Sequence, residues 1–132
     1  MYTIPALPVK DIERSVEFYR DKLGFMVVHQ EAGFVVLRRD ATEIHLWAAT
    51  DEVWRTRGGS SPVVSGAESF IAGTASCRVA VDHVDELHTA LHPSGILHPN
   101  APLCDQWWGS REFGVVDLDN NLITFFENRK MS

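Results

Sequence analysis

The sequence predicts an α+β fold built from two βαβββ modules that form a half-open, curved sheet. Three observations predict it. LPVKDIERSVEFYRDKLGF is echoed by VAVDHVDELHTALHPSGI, each running strand, acidic turn, amphipathic helix and glycine. Short strand-like runs follow each helix, and the last run of each half matches, Ile44 and Leu46 against Ile123 and Phe125. The 132 residues leave no room for a second independent domain. Neither four-stranded unit buries both faces of its sheet alone, so units must pair, within a chain or between chains.

In the first module, residues 1–50, Asp11 is the predicted N-cap. Ile12, Val16, Tyr19 and Leu23 recur at helical spacing before Gly24, which gives a helix near 11–23. FMVVHQ, FVVLRRD after Ala32-Gly33, and TEIHLWAA then read as strands. Residues 51–74 are too long for a mere linker and read as a functional loop carrying Trp54, Arg55, Arg57, Glu68 and Phe70. In the second module, residues 75–132, Asp82 or His83 opens a helix near 83–92. Val84, Leu87 and Leu91 form its buried stripe, and Pro93 with Gly95 ends it. ILHPN reads as a further strand-like run, and a Pro- and Trp-containing stretch follows it. REFGVVDLDN and NLITFFEN then make a hairpin through Asp119-Asn120.

Composition narrows the function. Apolar residues make up 45% and charged residues 23%, which is globular rather than disordered. Twelve basic against eighteen acidic side chains give a net charge of -6, which argues against a phosphate-neutralising surface and hence against a nucleic-acid partner. That balance suits a cationic partner, or simply solubility. No run approaches the roughly 18 consecutive apolar residues of a spanning helix. The start MYTIPALPVKDIERS has no basic region followed by an apolar stretch. Cys77 and Cys104 lack CxxC spacing and fit a reducing compartment. A cytoplasmic protein without a membrane partner is therefore expected.

VKDIERSVEFYRDKLGF resembles the opening helix of the vicinal oxygen chelate superfamily, and QWWGSREFGVVDLDNNLITFFEN resembles its closing hairpin. More specifically, Trp-Gly before Arg-Glu-Phe and the Asp-x-Asp-x-Asn strand end resemble bleomycin resistance proteins, as do IHLWAATDEVWRTR and SPVVSGAESFIAGTASCR. The resemblance covers nearly the whole chain. It implies the vicinal oxygen chelate fold, a homodimer with exchanged N-terminal arms in which Pro5 marks the crossing, and sequestration of bleomycin-type antibiotics without modification. The same superfamily holds metal-dependent thiol transferases and dioxygenases, whose His and Glu ligands fall here at or near Ile4, His45, Ser76 and Thr124. One imidazole does not make a catalytic metal centre. No protein-bound metal or cofactor is expected, and any metal would arrive on the drug, copper for example.

Drugs of this class, as the resemblance implies, carry a flat bithiazole, a cationic tail and a metal-chelating peptide with sugars. Such a ligand calls for aromatic faces, acidic groups and polar contacts. Trp107 and Trp108, in a loop beside Gly109, are candidates for stacking. Phe34 matches the family position of a second stacking aromatic, against the alternative of an ordinary core-facing strand residue. His45 and Trp47 share one pleat face and Ile44 and Leu46 the other, so packing of the second pair under the helices turns the first toward the cavity. Ser61, Glu68, Ser69 and Phe70 in the long loop, with Arg111 and Glu112, complete the predicted binding set; Glu68, Ser69 and Glu112 read either as polar contacts or as solvated residues. Arg55 and Arg57 fit a cationic ligand poorly and read as ion-pair or interface residues. His88 and His92, four apart on the second helix, read as solvent-edge residues because no third ligand completes a metal set. His29 and His98 read as loop or strand-edge residues, and no nucleophile for covalent catalysis is evident.

Overall fold

The computed structural model describes residues 1–49 and 75–129. The connecting loop, with Trp54, Arg55, Arg57, Ser61, Glu68, Ser69 and Phe70, lies outside the described residues. In the first module, strand β1 (Ala6–Val9) leads through helix α1 (Ile12–Asp21) to β2 (Met26–Glu31), β3 (Phe34–Arg39) and β4 (Thr42–Ala48). The second module repeats the order with β5 (Ser76–Ala80), α2 (Val84–Leu91), β6 (Cys104–Asp105), β7 (Ser110–Val116) and β8 (Leu122–Asn128). Each module is a four-stranded mixed sheet, β1-β4-β3-β2 and β5-β8-β7-β6. In each, the first strand runs parallel to the last, since the helical crossover returns the chain in the same direction.

The first helix forms as its spacing dictates. Asp11 Oδ1 accepts from the Arg14 amide at 3.1 Å, and Ile12, Val16 and Tyr19 are buried. The helix stops at Asp21, where the Lys22 amide closes onto the Phe18 carbonyl, and Gly24 turns the chain at φ +74. The second helix is capped differently from expectation. Its N-cap residue His83 makes no side-chain bond, and the Val84 amide donates instead to Glu127 Oε1 of β8 at 3.0 Å.

ILHPN is not a strand. Leu97 makes one antiparallel bridge to Val115, and the Ala101 amide bonds back to the His98 carbonyl at 3.1 Å, closing a turn around Pro99. The outer strand is the two-residue β6, paired with Glu112 and Arg111. Pro99 and Pro102 lack the amide hydrogens that a continuous strand would need. The β7–β8 turn forms as predicted, with Asn120 at φ +63 and Asp117 Oδ1 accepting from the Asp119 and Asn121 amides at 2.9 Å each.

One apolar cluster joins the halves, running from Val9, Tyr19, Leu37 and Leu46 to Val84, Val115 and Phe125. Asn121 Nδ2 ties the β7–β8 turn to the first module by donating to the Pro8 carbonyl at 2.9 Å. Among the described residues, no helix is long and apolar enough to cross a membrane.

Candidate functional site

Strand parity places the first group of predicted residues. Ile44 and Leu46 are fully buried, which turns Glu43, His45 and Trp47 to the other, open face of the first sheet. Phe34 lies opposite Trp47 in the antiparallel register and shares that face. Its ring meets the His45 ring edge-on, with centroids 5.1 Å apart. His45 Nε2 lies 2.7 Å from Glu43 Oε2, while Arg38 Nη2 donates to Glu43 Oε1 at 2.6 Å. Chiefly the Arg38 bond, and then that of His45, holds the Glu43 carboxyl below its usual range. A carboxylate thus orients the imidazole against Phe34.

On the second sheet, Phe113 and Val115 are buried on the α2 side, so Ser110, Glu112 and Gly114 face the opposite way. Glu112 is only 9% exposed and its carboxylate is already engaged. It accepts from Arg78 Nη2 at 2.7 Å, Arg78 Nη1 at 3.3 Å and the Ser110 hydroxyl at 2.7 Å. The Arg78 bond is the main reason the carboxyl is held below its usual range, with smaller help from Ser110 and the Trp108 side chain. Glu112 is therefore neither solvated nor an open acceptor. Its partner Arg78 lies across the Phe126 ring, 4.6 Å from the centroid. Arg78 is absent from the residues predicted from sequence, although inward-facing Cys77 and Val79 on either side of it place it on this face.

Trp107 and Trp108 stand in the turn between β6 and β7. The Gln106 amide donates to the Ser110 carbonyl at 2.7 Å and the Gly109 amide to the Gln106 carbonyl at 3.1 Å. Gly109 takes φ +95, a conformation other residues adopt only with strain. Trp107 is 85% exposed and Trp108 51%, with the two rings edge-to-face at 5.4 Å. Trp107 stands largely in water and Trp108, whose side chain also supports Glu112, is half exposed; the pair is unlike core residues and forms a surface suited to stacking.

Arg111 lies elsewhere. The alternation that sends Glu112 to the open face sends Arg111 toward α2, where its Nε donates to Asp85 Oδ1 at 3.0 Å and its Nη1 to Asp105 Oδ1 at 3.3 Å. Arg129 joins the same network through Asp85 Oδ2 at 2.6 Å. Arg111 thus neutralises acid in the first turn of α2 rather than facing the open side of the sheet. Pro5 directly precedes β1, and its carbonyl accepts from the His45 amide at 3.0 Å. Within one chain, then, the N-terminal arm runs along its own β4.

Ile4, His45, Ser76 and Thr124, at or near which the sequence resemblance puts the superfamily's metal ligands, are a donor set that does not fit a transition-metal centre. Among the described residues no cluster of three or more His, Cys, Asp or Glu is arranged to hold a metal ion. His88 packs edge-on against Phe113 at 5.0 Å, with the His92 ring 6.1 Å away. A cleft of about 660 Å³ lies between the β3–β4 turn and α2, where Phe25, Val79, Leu87 and Phe125 form much of its wall. It includes none of the predicted binding residues. Phe25 and Phe125 are only 3% and 4% exposed, so it offers no ring face for stacking.

The structure thus brings Phe34, His45 and Trp47 together on one open face, and Glu112, Ser110 and Arg78 on another, below the Trp107–Trp108 turn. Among the described residues no hydrogen bond, ion pair or ring contact joins the two faces within the chain.

Comparisons with known proteins bear on the family and the fold. A family model for the bleomycin resistance protein-like N-terminal region matches residues 2–38. A bleomycin resistance protein of Geobacillus stearothermophilus is 59% identical over 130 residues, covering 98% of both chains. Among solved structures, a bleomycin-binding protein complexed with bleomycin superposes with a TM-score of 0.70 at 24% identity, over 98% of this chain and 99% of that one. A lactoylglutathione lyase from Agrobacterium tumefaciens superposes with a TM-score of 0.73 at 18% identity, over 96% and 92%, so the fold alone does not separate binder from enzyme. Identity of this extent along nearly the full length shows the family: the chain belongs to the bleomycin resistance protein family.

Proposed function

We propose that this protein binds bleomycin-type antibiotics and withholds them from their target without altering them. The observation that carries the reading is the 59% identity to a bleomycin resistance protein across 98% of both chains. The exposed Trp107 and Trp108, and Phe34 beside His45, supply the aromatic faces that a flat heterocycle needs. A superfamily metal site that does not fit a metal argues against the enzymatic alternative, a thiol transferase or dioxygenase. The loop residues Ser61, Glu68, Ser69 and Phe70 belong to the same binding set in this reading.

The protein acts as a two-fold homodimer in the cytoplasm. Each open face is incomplete alone, and the face of one sheet set against that of the other sheet in a second chain closes two equivalent crevices. On assembly the arm at Pro5 would leave its own β4 for the equivalent strand of the second chain, and this exchange is the route by which the chains interlock. Light scattering at micromolar concentration tests the assembly, and a monomer would refute it.

Sequestration requires a dissociation constant well below micromolar, roughly -9 kcal/mol or stronger. The test is calorimetric titration of metal-analysed protein with copper-bound and metal-free bleomycin, followed by mass spectrometry of the recovered drug. One drug per chain with its mass unchanged supports the reading. Absent binding, or a transformed product together with a co-purified transition metal, overturns it.

A further inference from the structure

We infer that Arg78 is a specificity-determining residue of the proposed drug site, donating hydrogen bonds to the neutral acceptor oxygens of the ligand, those of amide, carbamoyl or hydroxyl groups. The inference rests on the binding reading above. Arg78 pairs with Thr124 of β8 in the parallel register, which sets it on the open face with Glu112 and Phe126. Its guanidinium is fixed on two sides, by the carboxylate of Glu112 at 2.7 and 3.3 Å and by the Phe126 ring at 4.6 Å. Glu112 is held in turn by the Ser110 hydroxyl at 2.7 Å, so the fork has a rigid, buried anchor. The rotamer entropy that a free arginine would lose on binding is already spent in folding.

The Arg78 side chain nonetheless remains 49% exposed. Contact with Glu112 uses one hydrogen on each Nη, leaving the Nε hydrogen and the second hydrogen of each Nη without a partner among the described residues. The charges of Arg78 and Glu112 cancel. The pair therefore offers strong, directed donors without a net positive field, so a cationic ligand is not repelled while its neutral oxygens are bound. An exposed arginine without the buried carboxylate would repel such a ligand.

The test titrates copper-bound bleomycin, and separately its bithiazole–terminal-amine fragment, into wild-type protein and the variants Arg78→Lys, Arg78→Met and Trp108→Ala, with the fold of each checked by thermal unfolding. Arg78→Lys keeps the charge on Glu112 but loses the planar fork, which protects against simple unfolding. Both Arg78 variants are expected to weaken whole-drug binding by about ten- to a hundred-fold, as loss of a charge-assisted hydrogen bond does, and to leave fragment binding unchanged. Trp108→Ala is expected to weaken both ligands. If folded Arg78 variants bind the whole drug as wild type does, or weaken drug and fragment equally, the inference is wrong while the binding reading stands. If wild-type protein fails to bind the drug, both fall.

Discussion

The Tyr19 hydroxyl donates to Asp117 Oδ2 at 2.7 Å, joining α1 to the β7–β8 turn across 98 residues of sequence. Asp117 is buried with all its acceptors engaged, Oδ2 also accepting from Asn121 Nδ2 at 2.8 Å and Oδ1 from two backbone amides. Burial, reinforced by the neighbouring Asp117, pushes the Tyr19 hydroxyl well above its usual pKa of 10.0. The Asp117-x-Asp119-x-Asn121 run is thus a clamp between modules. It sets where the open face of one sheet stands relative to the other.

Tyr19→Phe removes the one hydroxyl in this clamp and leaves Asp117 short of a donor. Stability should fall by about 1–2 kcal/mol, lowering Tm by about 3–8 °C. Because the native pKa of Tyr19 is raised, its contribution is full below pH 10 and fades only as pH rises toward the native value, so thermal melts at pH 6 and pH 8 should show the same loss. Equal melting temperatures for the two proteins would show the bond contributes nothing.

Glu112→Gln should destabilise the protein at pH 7 by about 1–3 kcal/mol, since it leaves Arg78 without its carboxylate. The native pKa of Glu112 is lowered from 4.5, so the contribution of the charged form is complete above that value and is lost as pH falls through the native one. Urea unfolding at pH 7 and at pH 3 should therefore show a gap between variant and wild type that narrows in acid. A gap that widens in acid would contradict the assignment.

Gly114 packs where a side chain has no room. A Cβ there would stand 2.8 Å from the Ala101 Cβ and 3.2 Å from Leu122 Cδ1. Gly114→Ala should cost about 1–3 kcal/mol by overpacking. Adding Ala101→Gly should recover part of that loss in a double-mutant cycle, and independent, additive effects would show that the clash is absent.

Trp108→Ala should weaken drug binding by about ten- to a hundred-fold with only a modest fall in Tm, because a half-exposed indole adds little to the core and its bond is the smallest of the supports of Glu112. Phe34→Ala should weaken binding and also lower Tm modestly, since its ring packs on His45. Titration calorimetry beside thermal melts separates the two effects. Unchanged affinity in both variants would move the stacking site elsewhere.

The sequence by itself determined what depends on neighbours in the chain. Helical spacing identified Ile12, Val16, Tyr19 and Leu23 as one buried stripe, Asp11 as the cap, and pleat alternation separated Ile44 and Leu46 from His45 and Trp47. Paired indoles beside a glycine already marked the exposed turn at Trp107 and Trp108. Only the tertiary structure decided the cap of α2, which comes from Glu127 on β8, and the failure of ILHPN as a strand, where a single bridge to β7 at Leu97 gives way to a turn at Pro99. It also enclosed Glu112 with Arg78, 34 residues distant, and diverted Arg111 to Asp85, although Arg111 and Glu112 are adjacent in sequence. The reason is physical: backbone periodicity is written into local side-chain order, whereas the partner of a buried charge is set by strand register, which exists only once distant segments have paired.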